Sequence, residues 1–213
     1  MKKIRVLLAE DHETVRQGLK LLIDAQADME VVGEAGDGEE AVRSVTALRP
    51  EVAVIDISMP EMNGLAATRQ IIERAPGTGV VALTRYGDEA YVKEMLGAGA
   101  RGYVLKQSAS SELLAAIRAA AKGKQYLDAS LASRATGAVF TSRLGTHPRI
   151  TDRETEVLRY MALGHSNKEI AATLDVSVKT VEVHKTNAMR KLGLQGRTDV
   201  VRYAFLQGWL REP

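Results

Sequence analysis

The sequence contains no cysteine, few aromatic residues and no hydrophobic run of membrane-spanning length. Without cysteine the chain forms neither disulfides nor thiolate metal sites. Aromatic residues make up 4% of the 213 residues, which argues against a large aromatic-lined pocket for an organic ligand. The start MKKIRVLLAEDH is basic and then apolar like a signal peptide, but it runs into Glu10 and Asp11 without a cleavage site. These absences predict a cytoplasmic protein without a membrane segment.

Charge is distributed unevenly along the chain. Residues 1–148 carry 18 basic and 19 acidic side chains, whereas residues 149–213 carry 11 basic and 8 acidic ones. A basic C-terminal region is suited to contact with phosphates, although an excess this small also arises by chance. Apolar residues make up 45% of the chain and charged residues 26%, so the composition permits a substantial core in a soluble protein.

The first 123 residues alternate between two hydrophobic patterns. Short runs of branched apolar residues predict buried strands, and apolar residues three and four positions apart predict helices. The predicted strands are residues 4–10, 29–35, 51–56, 79–84 and 101–106. The predicted helices are residues 13–26, 37–48, 65–75, 88–99 and 110–123. This alternation predicts an α/β domain over residues 1–123 with a doubly wound, five-stranded parallel sheet of the flavodoxin-like type.

The remainder of the chain contains no further strand pattern. Residues 124–148 are small, polar and weakly periodic, which predicts a linker with one short helix near residues 129–140. Four helical patterns follow, over residues 151–164, 166–174, 178–193 and 197–209. Two of these helices begin with the spacing of a capping box, Thr151 with Glu154 and Ser166 with Glu169. Residues 149–213 are therefore predicted to form a small all-α domain.

Polar and charged residues stand where the predicted strands end. They are three acids, a hydroxyl and an ammonium: Glu10, Asp11, Asp56, Thr84 and Lys106. Ligands of open α/β sheets bind beyond the carboxyl ends of the strands, so these side chains are expected at one edge. Crowded carboxylates repel one another unless a cation lies between them, and such oxygen ligands suit Mg²⁺. The pattern predicts that Asp56 accepts a phosphoryl group, whose charge Mg²⁺ and Lys106 neutralise.

Four motifs at these strand ends together resemble the receiver domain of two-component response regulators. They are LLAEDH, DISMPEMNG, LT at residues 83–84 and GYVLK at residues 102–106. The resemblance covers about residues 1–122. It implies that Asp56 is the phosphoacceptor, that Lys106 contacts the phosphoryl group and that a sensor histidine kinase is the donor.

The same resemblance implies a metal site and a pair of switch residues. Mg²⁺ or Mn²⁺ would be held by three carboxylates and one backbone carbonyl, those of Glu10, Asp11, Asp56 and Ser58. On phosphorylation the hydroxyl of Thr84 would move to the phosphoryl group, and the ring of Tyr103 would turn inward behind it. The face around residues 88–105 would then change, and this change would release the C-terminal domain, promote dimerisation, or both.

The site departs from the receiver pattern at two positions. Glu10 stands where many receivers have aspartate, and its longer side chain is suited to metal binding through water. Gln107 stands where many have proline after the lysine, which makes a cis peptide bond there unfavourable. Tyr86, close to Thr84, has two interpretations: it shields the acyl phosphate from water, or it is an exposed loop tyrosine.

The third C-terminal helical pattern separates an apolar face from a polar one. Val181, Ala188 and Leu192 share the apolar face, whereas Val183 falls in the middle of the polar face. A valine there is suited to contact a thymine methyl group in a major groove, or it is an ordinary exposed valine. The basic residues of this pattern are candidates for phosphate contacts: Lys179, Lys185 and Arg190.

Residues 150–193 closely resemble the LuxR-type DNA-binding domain, and a short helix, a tight connection and a longer helix match a helix-turn-helix. With the receiver, the whole chain resembles a NarL/FixJ-type response regulator, which implies a double-stranded DNA operator and a homodimer on two half-sites. The implied DNA-contacting residues are Lys179, Thr180, Glu182, Val183, Lys185, Thr186 and Arg190. Glu182 either accepts a hydrogen bond from a cytosine amine or repels phosphate, and both interpretations stay open.

Three other functions fit parts of the pattern. An aspartyl-phosphate phosphatase usually needs a second acid two residues after the nucleophile, where this chain has Ser58. A ligand-sensing LuxR-type regulator needs an aromatic-lined pocket. A regulator that works unphosphorylated does not need the complete set of strand-end residues. The prediction is therefore a phosphorylation-controlled transcription regulator rather than an enzyme, whose chemistry is limited to phosphoryl transfer to Asp56 and its hydrolysis.

Overall fold

The computed structural model describes residues 2–85, 87, 89–132 and 150–210. The chain divides into two compact units, Met1–Thr141 and Ser142–Pro213. The predicted α/β domain falls within the first unit, and the predicted all-α domain falls within the second. The domain boundaries placed at residues 123 and 149 from the sequence stay predictions.

A parallel sheet of six strands forms the centre of the first unit. The strands are Ile4–Ala9 (β1), Met29–Ala35 (β2), Val52–Asp56 (β3), Gly79–Thr84 (β4), Gly102–Leu105 (β5) and Tyr126–Leu127 (β6). Their spatial order is β2-β1-β3-β4-β5-β6. The chain therefore winds outward from β1 in both directions, and the flavodoxin-like, doubly wound architecture is confirmed.

The predicted number of five strands is wrong by one. Tyr126 pairs with Gly102 and Leu127 with Tyr103, so β6 extends the sheet beyond β5. A short helix, Ala129–Ala132, follows directly. Both elements fall in the stretch assigned to a linker, where a short helix near residues 129–140 was predicted but no strand. A strand of two residues is too short to show a periodic pattern. The remainder of the predicted helix over residues 129–140 lies outside the described residues.

Helices cover both faces of the sheet. In chain order they are Glu13–Asp24 (α1), Gly38–Leu48 (α2), Gly64–Arg74 (α3), Glu89–Gly97 (α4), Ser110–Ala121 (α5) and Ala129–Ala132 (α6). On one face, Ile23 of α1 and Ile117 of α5 pack against the strand residues Val6, Val54 and Val104. Successive side chains of a strand alternate between faces, so intervening residues meet the other helices. This arrangement brings the carboxyl ends of the central strands to one edge.

The second unit contains four helices among its described residues, as predicted. They are Asp152–Ala162 (α7), Asn167–Leu174 (α8), Val178–Leu192 (α9) and Arg197–Leu206 (α10). Both predicted capping boxes are present, so the side chains of Thr151 and Ser166 accept the N–H groups of Glu154 and Glu169. Each cap satisfies backbone groups that the first turn of a helix leaves unpaired.

The described part of the chain has no helix that is both long enough and apolar enough to cross a membrane.

Candidate functional site

Two buried carboxylates share one ammonium at the carboxyl edge of the sheet. Lys106 Nζ lies 2.8 Å from Asp56 Oδ2 and 2.6 Å from Glu10 Oε2. Glu10 is 0% exposed and Asp56 is 2% exposed. Removing two carboxylates from water is costly unless a cation compensates them. Lys106 supplies that cation, as the sequence pattern of strand-end residues predicts.

Backbone contacts fix the strand ends that carry these side chains. The Lys106 N–H donates to the Thr84 carbonyl at 2.6 Å, which joins the ends of β5 and β4. The Ile57 N–H donates to the Leu83 carbonyl at 3.2 Å, which joins β3 to β4 just beyond Asp56. The Ser58 N–H donates to Asp56 Oδ1 at 3.2 Å. The loop thus orients Oδ1 of Asp56, while Oδ2 faces Lys106.

Gly64 allows helix α3 to begin directly against the backbone of Asp56. A Cβ atom at position 64 would lie 2.1 Å from the Asp56 carbonyl oxygen, closer than any side chain permits. The Gly64 N–H donates to the Ile57 carbonyl at 3.0 Å. Asn63 caps the helix by accepting the Ala66 N–H at 2.9 Å. The loop after β3 is therefore compact because the first residue of α3 has no side chain.

His12 contacts both acids that follow β1. Its Nδ1 lies 2.7 Å from Asp11 Oδ1 and 3.1 Å from Glu10 Oε1. The hydrogen bond to Asp11, its charge and the contact with Glu10 raise the pKa of His12 above its ordinary value. His12 was not among the site residues predicted from the sequence. Its position directly after two strand-end acids was the available signal.

The acidic residues have the chemistry of a site for a hard divalent cation. Glu10, Asp11 and His12 each offer a ligand atom, and these atoms lie within 4.8 Å of one another. Glu10 Oε2 is buried, and the Lys106 ammonium lies 2.6 Å from it. Carboxylate oxygens gathered in this way are the ligands that Mg²⁺ prefers. Asp56 is joined to this group through the same ammonium.

Thr84 and Tyr103 lie on neighbouring strands and on the same face of the sheet. Tyr103 is paired with Ala82, and Leu105 with Thr84, so the two side chains project to one side. Both are fully buried. The Tyr103 ring therefore already occupies the inward position in this structure. Thr84 and Tyr103, the predicted switch residues, therefore lie on one face of the sheet, and Tyr103 belongs to the strand that leads to Lys106.

Helix α9 in the second unit presents the predicted DNA-contacting residues. Val181 and Ala188 are fully buried, whereas Val183 is 51% exposed in spite of its apolar side chain. The other exposed members of the set are Lys179, Glu182, Thr186 and Arg190, with Thr180 and Lys185 half-buried. Ser177 caps the helix by accepting the Thr180 N–H at 3.1 Å. The helix thus has one face for the core and one for a partner.

A buried ion pair fixes α9 against α7. Lys191 Nζ lies 2.8 Å from Oε1 and 2.7 Å from Oε2 of Glu154. The Thr151 N–H donates to Glu154 Oε2 at 2.7 Å. Burial acts to raise the pKa of Glu154, but the Lys191 ammonium and the Thr151 N–H outweigh it and lower the pKa. The carboxylate therefore stays ionised and orients the exposed face of α9.

Both halves of the chain match known protein families. Residues 6–118 match the response regulator receiver domain, and residues 148–204 match the bacterial regulatory proteins of the luxR family. The chain belongs to the NarL/FixJ-type response regulators. This regulator is 41% identical over 209 residues to the oxygen regulatory protein NreC of Staphylococcus aureus, covering 94% of this chain and 96% of NreC.

Solved structures of related regulators include DNA complexes. RcsB of Salmonella enterica serovar Typhimurium, bound to promoter P1flhDC with the phosphomimetic BeF₃⁻, has a TM-score of 0.79 and 28% identity, over 97% of this chain and 100% of that one. RcsB dimers bound to two parallel DNAs give a TM-score of 0.75 and 29% identity, over 96% of this chain and 99% of that one. The predicted function, phosphorylation-controlled DNA-binding transcription regulation, is confirmed at the level of the family.

Sequence reasoning missed a further residue that supports the acidic site of this regulator. Arg16 NH1 donates to the Glu10 carbonyl at 2.6 Å. Arg16 Nε lies 3.5 Å from Glu34 Oε2, which joins α1 to β2. Arg16 thereby holds the backbone that presents Glu10 and Asp11, and its place one turn into α1 was the only signal. Tyr86, for which two interpretations stay open, lies outside the described residues.

Proposed function

We propose that Asp56 accepts a phosphoryl group from a sensor histidine kinase. One Asp56 carboxylate oxygen attacks phosphorus and forms the acyl phosphate, while the bond from phosphorus to the donor's nitrogen breaks and the donor keeps that electron pair. The contact of Lys106 Nζ with Asp56 Oδ2, at 2.8 Å, carries this proposal. An ammonium at this position neutralises the charge that the phosphoryl group brings. The chemistry of the protein is limited to this transfer and to the later hydrolysis.

The acidic site is proposed to hold Mg²⁺, or Mn²⁺, during this transfer. Its oxygen ligands would come from three carboxylates and a backbone carbonyl, those of Glu10, Asp11, Asp56 and Ser58. The clustering of the Glu10 and Asp11 carboxylates within 4.8 Å supports this assignment. When bound, the cation neutralises charge on the phosphoryl oxygens. Arg16 and His12 orient the backbone and the carboxylates of the two neighbouring acids.

Phosphorylation is proposed to act through Thr84 and Tyr103. The Thr84 hydroxyl donates to a phosphoryl oxygen, and the buried ring of Tyr103 fills the space behind it. The face around residues 88–105 then favours dimerisation, so two DNA-binding units are presented together. RcsB dimers on DNA and an RcsB–promoter complex with a phosphomimetic support DNA binding by a dimer, by analogy. The proposed action on a DNA operator supports a location in the cytoplasm.

Helix α9 is proposed to enter the major groove of the operator. Glu182, Val183 and Thr186 would meet base edges, and Thr180 would lie at the start of the same helix. Phosphate contacts would come from the basic side chains of the helix, Lys179, Lys185 and Arg190. The exposure of Val183 on an otherwise polar face supports this orientation.

Mass spectrometry of the intact chain after treatment with acetyl phosphate and Mg²⁺ tests the proposal, with Asp56→Asn as the matched control. We expect a phosphoryl adduct on the wild type only, with a shift toward dimer in analytical ultracentrifugation. A folded wild type without an adduct would contradict phosphorylation control. DNA binding would then be governed by a ligand, a partner or the abundance of the protein.

A further inference from the structure

Residues 126–132, here called the edge segment, lie along the outer side of β5. The Tyr126 N–H donates to the Arg101 carbonyl at 2.8 Å, and the Asp128 N–H donates to the Tyr103 carbonyl at 3.0 Å. The Tyr126 hydroxyl donates to Glu112 Oε2 of α5 at 2.9 Å. The edge segment is therefore attached to the strand that carries Tyr103 and leads to Lys106.

Asp128 is a buried acid that binds the end of β5. It is 1% exposed, and its Oδ2 accepts the N–H of Leu105, the residue before Lys106, at 3.1 Å. Its Oδ1 accepts the N–H and the hydroxyl of Ser130 at 2.9 and 2.6 Å. Burial acts to raise the pKa of Asp128, but the hydroxyls of Ser108 and Ser130 and the Leu105 N–H lower it. A buried carboxylate with these donors fixes the backbone on both sides of it.

Leu131 of α6 contacts the loop that follows Thr84. Leu131 is 3% exposed. A methyl group at Gly87 would lie 2.8 Å from Leu131 Cδ2 and 3.7 Å from both δ carbons of Leu105. The leucine therefore rests directly on a loop residue that has no side chain, three positions after Thr84. A side chain at position 87 would therefore collide with Leu131.

We propose that the conformation of the edge segment responds to the phosphorylation state of Asp56. Leu131 is its contact with the loop after Thr84, and Asp128 is a positioning residue for the strand end that bears Lys106. This inference rests on the proposed function, because it requires the phosphoryl group to move Thr84. The edge segment docks on a surface formed by Gly87, Leu105 and the edge of β5. It is the last described segment of the chain before the DNA-binding unit.

In the proposed coupling, the Thr84 hydroxyl turns to the phosphoryl group, and Gly87 moves with it toward Asp56 and away from Leu131. The backbone pairing of Tyr126 and the buried Asp128 hold the start of the edge segment in place. Phosphorylation thus loosens α6 while β6 stays attached. Coupling of this kind is reciprocal, so loosening α6 by substitution favours the phosphorylated state.

The test uses the full chain with Mg²⁺ and beryllofluoride, a phosphoryl mimic, monitored by hydrogen exchange of peptides from the edge segment. We expect faster exchange at residues 129–132 when beryllofluoride binds, with exchange at Tyr126 and Leu127 unchanged. Leu131→Ala and Gly87→Ala should each bind beryllofluoride at least about fivefold more tightly by titration calorimetry, the lower end of ordinary coupling between sites.

Matched controls separate this effect from a general loss of stability. A methyl group at Gly77 has nothing within 4 Å, so Gly77→Ala should leave the affinity unchanged. Leu163 is an exposed leucine of the other unit, so Leu163→Ala should do the same. If beryllofluoride binds but exchange at α6 is unchanged or slower, or both variants keep wild-type affinity, the inference is wrong and the proposed function stands. A wild type that binds no beryllofluoride and gains no phosphoryl adduct would overturn both.

Discussion

Lys106 Nζ lies 2.8 Å from Asp56 Oδ2, although the two residues are 50 positions apart in the sequence. β4 separates β3 and β5 in the sheet, so the long side chain of Lys106 spans the end of a strand to reach the acid. The same ammonium contacts Glu10. The proposed phosphorylation site is therefore held together by attraction between the Lys106 ammonium and two buried carboxylates, which gives the lysine a structural role.

Lys106→Met should lower both the stability of the first unit and its capacity for phosphorylation. Two buried carboxylates would lose their counter-ion, which costs about 3 kcal/mol when one partner of a buried pair is removed. Because Mg²⁺ supplies positive charge to the same acids, we expect it to restore part of the lost stability. Urea unfolding at pH 7, with and without Mg²⁺, measures this effect, and the exposed Lys168 provides the control Lys168→Met. Equal losses with and without Mg²⁺ would contradict the shared site.

The second unit should lose stability in acid through Glu154. The folded-state pKa of Glu154 lies below its ordinary value of 4.5, so its contribution is fully present above about pH 4.5. The contribution is lost as the pH falls through the lowered, folded-state pKa. Urea unfolding of wild type and Glu154→Gln between pH 7 and pH 3 measures this. We expect a smaller loss of stability with acid in the variant, and identical pH dependences would show that another group is responsible.

The central elements of the fold were predictable because their sequence patterns are long. Strands such as β3 and β4 are continuous apolar runs, and the capping boxes at Thr151 and Ser166 mark helix starts by side-chain chemistry. β6 was missed because its two residues owe their conformation to pairing with β5. Local sequence carries no record of such a tertiary contact.

The residues of the candidate site at the strand ends were predictable because the strands themselves were predictable. Strand ends could be located, and their acids, hydroxyl and lysine could therefore be placed at one edge. His12, Arg16 and Asp128 were missed because their roles depend on side-chain directions across different elements. Helical spacing places Arg16 on α1, but only the folded chain shows that its guanidinium reaches the Glu10 carbonyl.

Two glycines should respond oppositely to alanine. Gly18 is exposed in the middle of α1, and an added methyl group meets nothing within 4 Å. Gly18→Ala should raise the free energy of unfolding by up to about 1 kcal/mol, the difference in helix propensity. Gly64→Ala should lower it by about 1–3 kcal/mol, because its methyl group would meet the Asp56 carbonyl oxygen. Urea unfolding measures both.

The two substitutions should also differ in phosphorylation. Displacing the backbone of Asp56 disturbs the acid itself, so Gly64→Ala should slow adduct formation with acetyl phosphate, while Gly18→Ala should not. A Gly64→Ala protein of wild-type stability and wild-type phosphorylation rate would contradict the close approach of α3 to Asp56.

The exposed face of α9 should contain two separable kinds of DNA contact. Lys179→Ala should weaken binding about equally on all sequences and reduce the slope of log affinity against log salt by about 1, because it removes one phosphate contact. Val183→Ala should leave that slope unchanged and instead reduce the preference for thymine at one position, because the valine contacts a methyl group. Selection of binding sites from random duplexes, followed by affinity measurements at several salt concentrations, separates the two. If Val183→Ala alters the salt slope and leaves sequence preference intact, the exposed valine is not a base contact and α9 enters the groove on a different face.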